Sequence, residues 1–213
     1  MKINQLKSLV ITMIVAIVLV SCSGKVNSEE KAEAGSENTT STEAVSLTID
    51  MEASSVAWKG EVAGVYGHNG VINIKEGALE TSNDKISGGS VVIDMTSIQP
   101  LDTASYLASG KTPQDLVDHL STGDFFLVEE FPTASFVIKS HEGNTLTGDL
   151  TIRGNTNEET VELSSIEITE NGVNAEGRLV FDRQKYDVKW EHYIKDYVLS
   201  NDIVIDLSIV ASK

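Results

Sequence analysis

The chain has 213 residues, of which 40% are hydrophobic and 23% charged, so it can form one domain with a sizeable core. It carries 16 basic and 32 acidic side chains, which gives a formal net charge of −16. This charge argues against nucleic acid as a partner, because phosphate binding needs clustered lysine and arginine. Cys22 is the one cysteine, which excludes an intramolecular disulfide and a cysteine-based zinc cluster.

The N-terminal segment has the order of features found in a secretory signal peptide. Lys2 and Lys7 precede a nearly uninterrupted apolar run from Leu9 to Val20. As a helix this run would span about 18 Å, less than the roughly 30 Å of a bilayer's hydrocarbon core. The sequence therefore predicts a signal peptide over residues 1–21.

The four residues Leu19-Val20-Ser21-Cys22 resemble the lipobox of bacterial lipoproteins. The resemblance implies that the chain is cut before Cys22 and that this cysteine carries the lipid, which anchors strongly when two or more acyl chains are attached. An ordinary secretory signal with an unrelated cysteine is the alternative. Ser23 stands where an aspartate would favour inner-membrane retention, so the resemblance implies the outer membrane, facing the periplasm or the cell surface.

Residues 22–43 almost entirely lack large apolar side chains. Such a stretch cannot offset the entropy lost on ordering, so it is predicted to be a flexible acidic tether. The folded domain is predicted to occupy residues 44–213.

In this predicted domain, hydrophobic and polar side chains alternate with a period of two, as in half-buried β-strands. Ile203, Ile205 and Leu207 share one face of the C-terminal segment, and Asp206 lies on the other. About eight to ten short strands, separated by turns such as Asn171-Gly172, indicate a sandwich or a closed antiparallel barrel. Other strand candidates are Val56–Val62, Gly70–Ile74, Ala78–Thr81, Ser90–Met95 and Glu159–Ile168.

Polar and glycine-containing clusters mark the predicted ends of strands. Lys75-Glu76-Gly77 and Ser82-Asn83-Asp84 are predicted to be turns, and Gln99–Lys111 is predicted to be a loop. Glycines inside alternating runs, such as Gly148 and Gly177, indicate either bulges or an interior in which missing side chains leave space.

One helix is predicted after that loop. Thr112 suits the N-cap, Pro113 fits the first turn, and Asp115 follows the cap by three residues. Leu116 and Leu120 give the helix an apolar stripe. A helix inserted between strands can cover one end of a barrel.

Three ordered segments resemble the YceI family. The first is DHLSTGDFF at 118–126 with FPTASF at 131–136, the second is GDLTIRGNT at 148–156, and the third is FDRQKY at 181–186. The resemblance covers residues 45–211. The chain departs from the family pattern just after the second and third segments, in Asn157-Glu158-Glu159 and at Asp187.

The resemblance implies an all-β, lipocalin-like antiparallel barrel of eight strands, with a short helix in an inserted loop, around an elongated apolar cavity. Family members are secreted or periplasmic, and some hold isoprenoid chains, quinones or fatty-acid amides. A barrel of about eight strands is just wide enough for one small apolar ligand. The implied function is sequestration or transport of such a ligand, with no cofactor and no catalytic group.

Two other classes of function remain open from the sequence. One is a structural or interaction barrel filled by its own side chains, and a homodimer is also left open. The other is an enzyme acting on an isoprenoid or a sugar. No G-x-S-x-G, G-x-G-x-x-G, P-loop, H-E-x-x-H or EF-hand motif occurs, and no spacing singles out a pair of catalytic carboxylates, so the chain is not expected to be an enzyme.

The histidines divide into two pairs. His141 is predicted to be solvated in a turn, and His192 to be packed or exposed among aromatic residues. His68 and His119 are predicted either to line the cavity mouth and contact a polar head group or to make structural hydrogen bonds, with a metal site as a third alternative.

The predicted ligand contacts combine these two histidines with aromatic and arginine side chains, which fit an ordinary core as well as a ligand wall. The set is Trp58, Tyr66, His68, His119, Phe125, Phe126, Phe136, Phe181 and Arg183.

Overall fold

A computed structural model of the chain describes residues 44–102, 110–192 and 194–213. The predicted signal peptide, Cys22 and the predicted tether lie outside the described residues. The strands in chain order are β1 (Val45–Ile49), β2 (Ser55–Val62), β3 (Tyr66–Ser82), β4 (Lys85–Pro100), β5 (Thr133–Glu142), β6 (Thr145–Ile152), β7 (Asn155–Thr169), β8 (Gly172–Asp182) and β9 (Asp202–Ser212). Helix α1 (Pro113–Ser121) lies between β4 and β5, and a 3₁₀ helix (Arg183–Tyr186) follows β8.

The strands close into a barrel with eight positions. The antiparallel ring runs β2–β9–β8–β7–β6–β5–β4–β3 and returns to β2. Strands β1 and β2 both pair with β3 and β9, but with different parts of them. These two strands therefore lie end to end in one position of the ring. The predicted eight-stranded antiparallel barrel is therefore confirmed.

The two ends of the barrel differ in their connections. Tight hairpins join β3 to β4, β5 to β6 and β7 to β8 at one end, which we call the far end. The β2–β3, β4–β5, β6–β7 and β8–β9 connections lie at the opposite end, which we call the mouth end. Helix α1 belongs to the mouth end because it is part of the β4–β5 connection.

Most strand predictions are confirmed, but the turn predicted at Lys75-Glu76-Gly77 is wrong. Strand β3 continues through this segment, and its pairing with β4 shifts register between Ile74 and Glu76. A bulge thus takes up the polar residues without ending the strand. The loop predicted over Gln99–Lys111 also begins too early, since Gln99 and Pro100 belong to β4, and the sequence analysis missed β1.

The turn predicted at Ser82-Asn83-Asp84 is confirmed. Asn83 and Asp84 have φ values of 53° and 57°, which is the left-handed geometry of a type I′ hairpin turn. Asparagine and aspartate tolerate this region better than other residues with a Cβ, and this explains their use here.

Helix α1 begins where its capping sequence predicts. The Thr112 hydroxyl accepts a hydrogen bond from the Asp115 N–H, and the Asp115 carboxylate accepts one from the Thr112 N–H at 2.6 Å. The hydrogen bond that the Thr112 hydroxyl donates to the Asp115 carboxylate, followed by the one from the Thr112 N–H, holds the pKa of Asp115 below its ordinary value. Within the described part of the chain, no helix has the length and hydrophobicity needed to cross a membrane.

We expect Thr112→Ala to lower the free energy of unfolding by about 1 kcal/mol, because the first turn of α1 loses its side-chain cap. Thr112→Ser keeps the hydroxyl and should restore most of the loss. The reciprocal cap is complete above the ordinary pKa of aspartate and weakens as the pH falls through the lowered pKa of Asp115. Urea denaturation at neutral pH measures the effect, and equal midpoints for the alanine variant and the parent would contradict it.

Candidate ligand-binding cavity

The interior of the barrel is hollow. Its cavity has a volume of about 1110 Å³, slightly above the roughly 300–1000 Å³ that is ordinary for small-molecule sites. The wall is mostly aliphatic, because the inward-facing positions of the strands carry the hydrophobic half of the alternating pattern. Aliphatic side chains in the wall include Val56, Ile72, Leu79, Val91, Ile93, Ile138, Leu150, Val161, Leu179, Ile203, Ile205, Leu207 and Ile209.

Glycine explains how the aromatic residue of β2 lines the wall without filling the space. Gly70 pairs with Trp58, and a Cβ on Gly70 would lie only 2.5 Å from the Trp58 ring. The indole therefore lies against the backbone of β3. Its Nε1–H donates to the Val71 carbonyl at 3.2 Å, which fixes the ring in this position.

The same arrangement recurs on the opposite side of the barrel. A Cβ on Gly148 of β6 would lie 2.5 Å from the Phe136 ring and 2.5 Å from the Val137 carbonyl oxygen. The missing side chain lets the phenyl ring pack flat against the neighbouring strand. Both interpretations left open for Gly148 fit the structure, because the pairing of β5 with β6 shifts register between Ile138 and Ser140 beside Gly148, and the missing side chain also leaves space for the Phe136 ring.

An aromatic cluster surrounds the mouth of the cavity. The His119 ring, in the last turn of α1, packs edge-on against Phe125 at 5.0 Å and against Trp190 at 5.1 Å between ring centroids. Trp190 in turn contacts His192 at 5.5 Å, and His192 contacts Tyr66 at 6.5 Å. These rings connect α1, the β8–β9 connection and the start of β3.

The polar groups of the lining are concentrated at this end. His68 Nδ1 lies 2.8 Å from Asp102 Oδ2, and the Asn69 N–H donates to the other oxygen of the same carboxylate at 3.0 Å. His119 Nε2 lies 3.4 Å from Asp124 Oδ2. An apolar tail inside the barrel and a polar group at the mouth therefore fit the distribution of the side chains.

Arg183 is 2% exposed, and its guanidinium holds the β8–β9 connection in place. Its Nη1 donates to the Val188 carbonyl at 2.6 Å, and its Nε donates to the Ser200 carbonyl at 2.9 Å. Burial lowers the pKa of Arg183, although the carboxylates of Asp182 and Glu191 oppose the shift. Arg183 lines the cavity, but its Nε and Nη1 donors are already engaged by backbone carbonyls.

The three sequence motifs meet at the mouth end. Arg153, in the second motif, donates from Nη1 to the Phe125 carbonyl at 2.8 Å and to the Asp187 carbonyl at 2.7 Å. These carbonyls belong to the first motif and to the residue directly after the third. A Cβ on Gly154 would lie 2.9 Å from the Phe131 ring, so the turn packs closely on the first motif. The motifs thus fix the connections that frame the mouth.

Two residues in the segment that departs from the family pattern, Asn157 and Glu159, also make contacts between these connections. The Asn157 side chain donates to the Lys185 carbonyl at 3.2 Å, and the Glu159 carboxylate accepts from the Tyr186 hydroxyl at 3.1 Å. Tyr186 is fully buried, and burial, followed by the nearby charge of Glu159, raises its pKa well above the ordinary value. These contacts join β7 to the 3₁₀ helix.

All nine residues of the predicted ligand set line the cavity, and their contact with a ligand stays a prediction. Trp190, an aromatic residue that fits a core or a ligand wall, also lies in the wall, and so does His192, which the sequence analysis left out as a ligand contact. Trp190 and His192 are two residues apart and close to Tyr197 in the sequence, and this grouping of aromatic side chains could have indicated that they line one wall. His141 differs from its prediction, because its Nδ1 accepts from the Ile86 N–H at 3.1 Å and the ring is half-buried.

Among the residues that the structure describes, no group of three or more histidine, cysteine, aspartate or glutamate side chains is placed to hold a metal ion.

The fold and the cavity define a lipocalin-like antiparallel β-barrel with an apolar interior. A family model described as the YceI-like domain matches residues 47–211, so the chain belongs to the YceI family. A UPF0312 protein of Staphylococcus aureus (strain USA300) is 33% identical over 99 residues, which are 43% of this chain and 58% of that protein. The match thus spans less than two thirds of this relative's length.

Several solved structures resemble the chain, including one from Burkholderia cenocepacia and one from Saccharophagus degradans. BcnA of Burkholderia cenocepacia has a TM-score of 0.57 and 20% identity, over 77% of this chain and 99% of its own. A polyisoprenoid-binding domain from Saccharophagus degradans has a TM-score of 0.49 and 11% identity, over 78% and 97% of the two chains. The similarity to BcnA shows a shared fold.

Proposed function

We propose that the barrel binds one long apolar molecule, such as a polyisoprenoid, a quinone or a fatty-acyl amide, and sequesters or transports it. The observation that carries this proposal is the cavity of about 1110 Å³ with its aliphatic and aromatic wall. Water gains few hydrogen bonds against such a wall, whereas a hydrocarbon tail removes apolar surface from water.

The length of the cavity favours a long tail over a short one. On β9 the lining runs from Ile203 to Ile209, which is about 20 Å along the strand. Each buried CH₂ contributes about 0.8 kcal/mol, so ten of them contribute about 8 kcal/mol. Association itself costs about 4–15 kcal/mol, and a short tail would not offset this cost.

We further propose that the protein is a lipid-anchored component of a bacterial cell envelope. This part rests on the sequence alone, through the signal peptide at 1–21 and the lipobox-like residues before Cys22. The mechanism then needs no catalytic group. The wall holds the tail, and the polar groups at the mouth, such as His68 with Asp102, receive the head group.

Organic extraction of the purified full chain, followed by mass spectrometry, tests the proposal. We expect one recurrent class of long-chain apolar molecule in a near-stoichiometric amount, and native mass spectrometry should show the same added mass on the folded protein. A protein whose native mass equals that of the polypeptide with its covalent modifications, and whose extracts hold no apolar compound even after incubation with long-chain lipids, would favour the structural barrel instead.

A further inference from the structure

Exposed hydrophobic side chains are concentrated at the mouth end of the barrel. Eight large hydrophobic side chains in the described ranges are exposed, and five of these lie in the connections or strand ends around the mouth. The other three are Met51, Val137 and Val180. We call the five the apolar rim: Val65, Tyr66, Leu101, Ile194 and Val198.

Backbone hydrogen bonds and ring contacts join the segments that carry the rim. The Ala63 N–H donates to the Val198 carbonyl at 2.9 Å, which brings the β2–β3 turn against the β8–β9 connection. The rings of Tyr66 and Tyr197 lie 6.4 Å apart between centroids. Leu101 joins the same region, because its N–H donates to the Asn69 carbonyl at 2.9 Å.

The rim is continuous with the cavity. Tyr66 and Ile194 line the cavity and are also 36% and 38% exposed at the surface. Apolar side chains of the rim therefore reach the opening of the cavity, beside the polar groups of the mouth. Contiguous exposed apolar surface of this kind marks a site of interaction, and tyrosine and tryptophan rings are favoured at boundaries between water and lipid.

The charge of the rim differs from that of the whole protein. Residues 188–199 carry Lys189 and Lys195 against Glu191 and Asp196, and the β2–β3 turn from Val62 to Tyr66 has no charged side chain. These two segments are formally neutral on a chain whose net charge is −16, and the third, which carries Leu101, has one acidic side chain, Asp102, that contacts His68. A surface with little net charge suits zwitterionic lipid, whereas the acidic remainder of the protein repels an anionic leaflet.

The first described strand begins at the end of the barrel opposite the apolar rim. Val45 pairs with Thr81 beside the β3–β4 hairpin, so the chain enters the barrel at the far end. We propose that the apolar rim docks on the surface of a zwitterionic lipid bilayer, so that a ligand passes between membrane and cavity without crossing water. This inference rests on the proposed function for its purpose, but not for its test.

A fluorescent label that responds to polarity tests the docking at two matched positions. Val198→Cys places the label on the rim, and Val180→Cys places it on the outer wall of β8, at sites 62% and 45% exposed. Both variants are made in the full chain carrying Cys22→Ser, so that the new cysteine is the one thiol labelled. The probe surface is a phosphatidylcholine vesicle, with and without phosphatidylglycerol.

We expect phosphatidylcholine vesicles to shift the emission maximum of the label at position 198 to shorter wavelength and to raise its emission intensity several-fold. The label at position 180 should show no change. Phosphatidylglycerol should weaken the response at low salt. If the emission of both labels stays unchanged while the protein sediments with the vesicles, the N-terminal segment alone attaches the protein. This result would overturn the proposal. Equal responses at both positions would overturn it as well.

A response at position 198 that grows with protein concentration in the absence of vesicles would identify a second copy of the chain as the occupant, and this too would overturn the proposal. The readout needs no ligand in the cavity. A rim that enters the bilayer on a barrel that binds no apolar molecule would therefore refute the proposed function and leave the docking surface in place.

Discussion

Replacing Ile205 by tryptophan is expected to weaken the binding of a long-chain apolar ligand roughly 100-fold. Ile205 lies in the cavity wall on β9, between Trp58 of β2 and Leu179 of β8. An indole at this position would occupy the space of about four methylene groups of the ligand, which contribute about 3 kcal/mol. This loss corresponds to roughly a 100-fold weaker affinity.

Titration with a fluorescent long-chain fatty-acyl amide measures the effect. Val204→Trp is the matched control, because Val204 precedes Ile205 on the same strand and is not a residue of the cavity wall. Denaturation of both variants checks that the barrel is intact. If the two variants lose affinity equally, or neither loses it, the ligand does not occupy the barrel interior and the proposed function fails.

The second large effect is expected on stability, from Gly70→Ala. The new Cβ would lie 2.2 Å from the Gln99 carbonyl oxygen and 2.5 Å from the Trp58 ring. The carbonyl belongs to the backbone of β4, so it cannot move without disturbing the pairing of β3 with β4. We expect a loss of about 3 kcal/mol, the upper part of the range for overpacking.

For a chain of this length, that loss corresponds to a fall in melting temperature of roughly 6–12 °C. Thermal and urea denaturation measure it. Gly123→Ala is the control, since the nearest atom to its new Cβ lies 3.8 Å away, and we expect a change of less than about 0.5 kcal/mol there. Equal stability of the two variants would show that the barrel has no need of glycine beneath Trp58.

The Ile205→Trp and Gly70→Ala variants both test how the barrel keeps an open interior. Trp58 and Phe136 have large rings, and each packs against a neighbouring strand at a glycine, Gly70 or Gly148. The missing side chains therefore help to create the cavity and not only the twist of the sheet. A larger residue at either glycine would push an aromatic ring toward the interior.

The family motifs hold the frame of the mouth in place and also form part of the cavity wall. Arg153 joins the segments of Phe125 and Asp187, and Arg183 satisfies the carbonyls of Val188 and Ser200. These guanidinium groups replace main-chain hydrogen bonds in connections that have no regular partner strand. The same motifs also supply residues of the cavity wall, such as His119, Phe136 and Phe181.

The sequence by itself determined most of the strands, the helix and the family. Alternation in segments such as Ile203–Leu207, the cap at Thr112 and the turn at Asn83-Asp84 all depend on residues within a few positions of one another. Such local interactions can be read from the order of the residues. The same reasoning failed at Lys75-Glu76-Gly77, because pairing with β4 carries β3 through a segment whose own composition favours a turn.

Only the tertiary structure decided that the interior is open and where its polar groups lie. Gly70 and Gln99 are far apart in the sequence, and their close approach requires the neighbouring strands to pair. The donors of Arg183 likewise meet carbonyls that the β8–β9 connection brings back across the mouth. Cavity, rim and mouth arise from contacts between distant residues, and the closing of the barrel sets those contacts, not the local pattern.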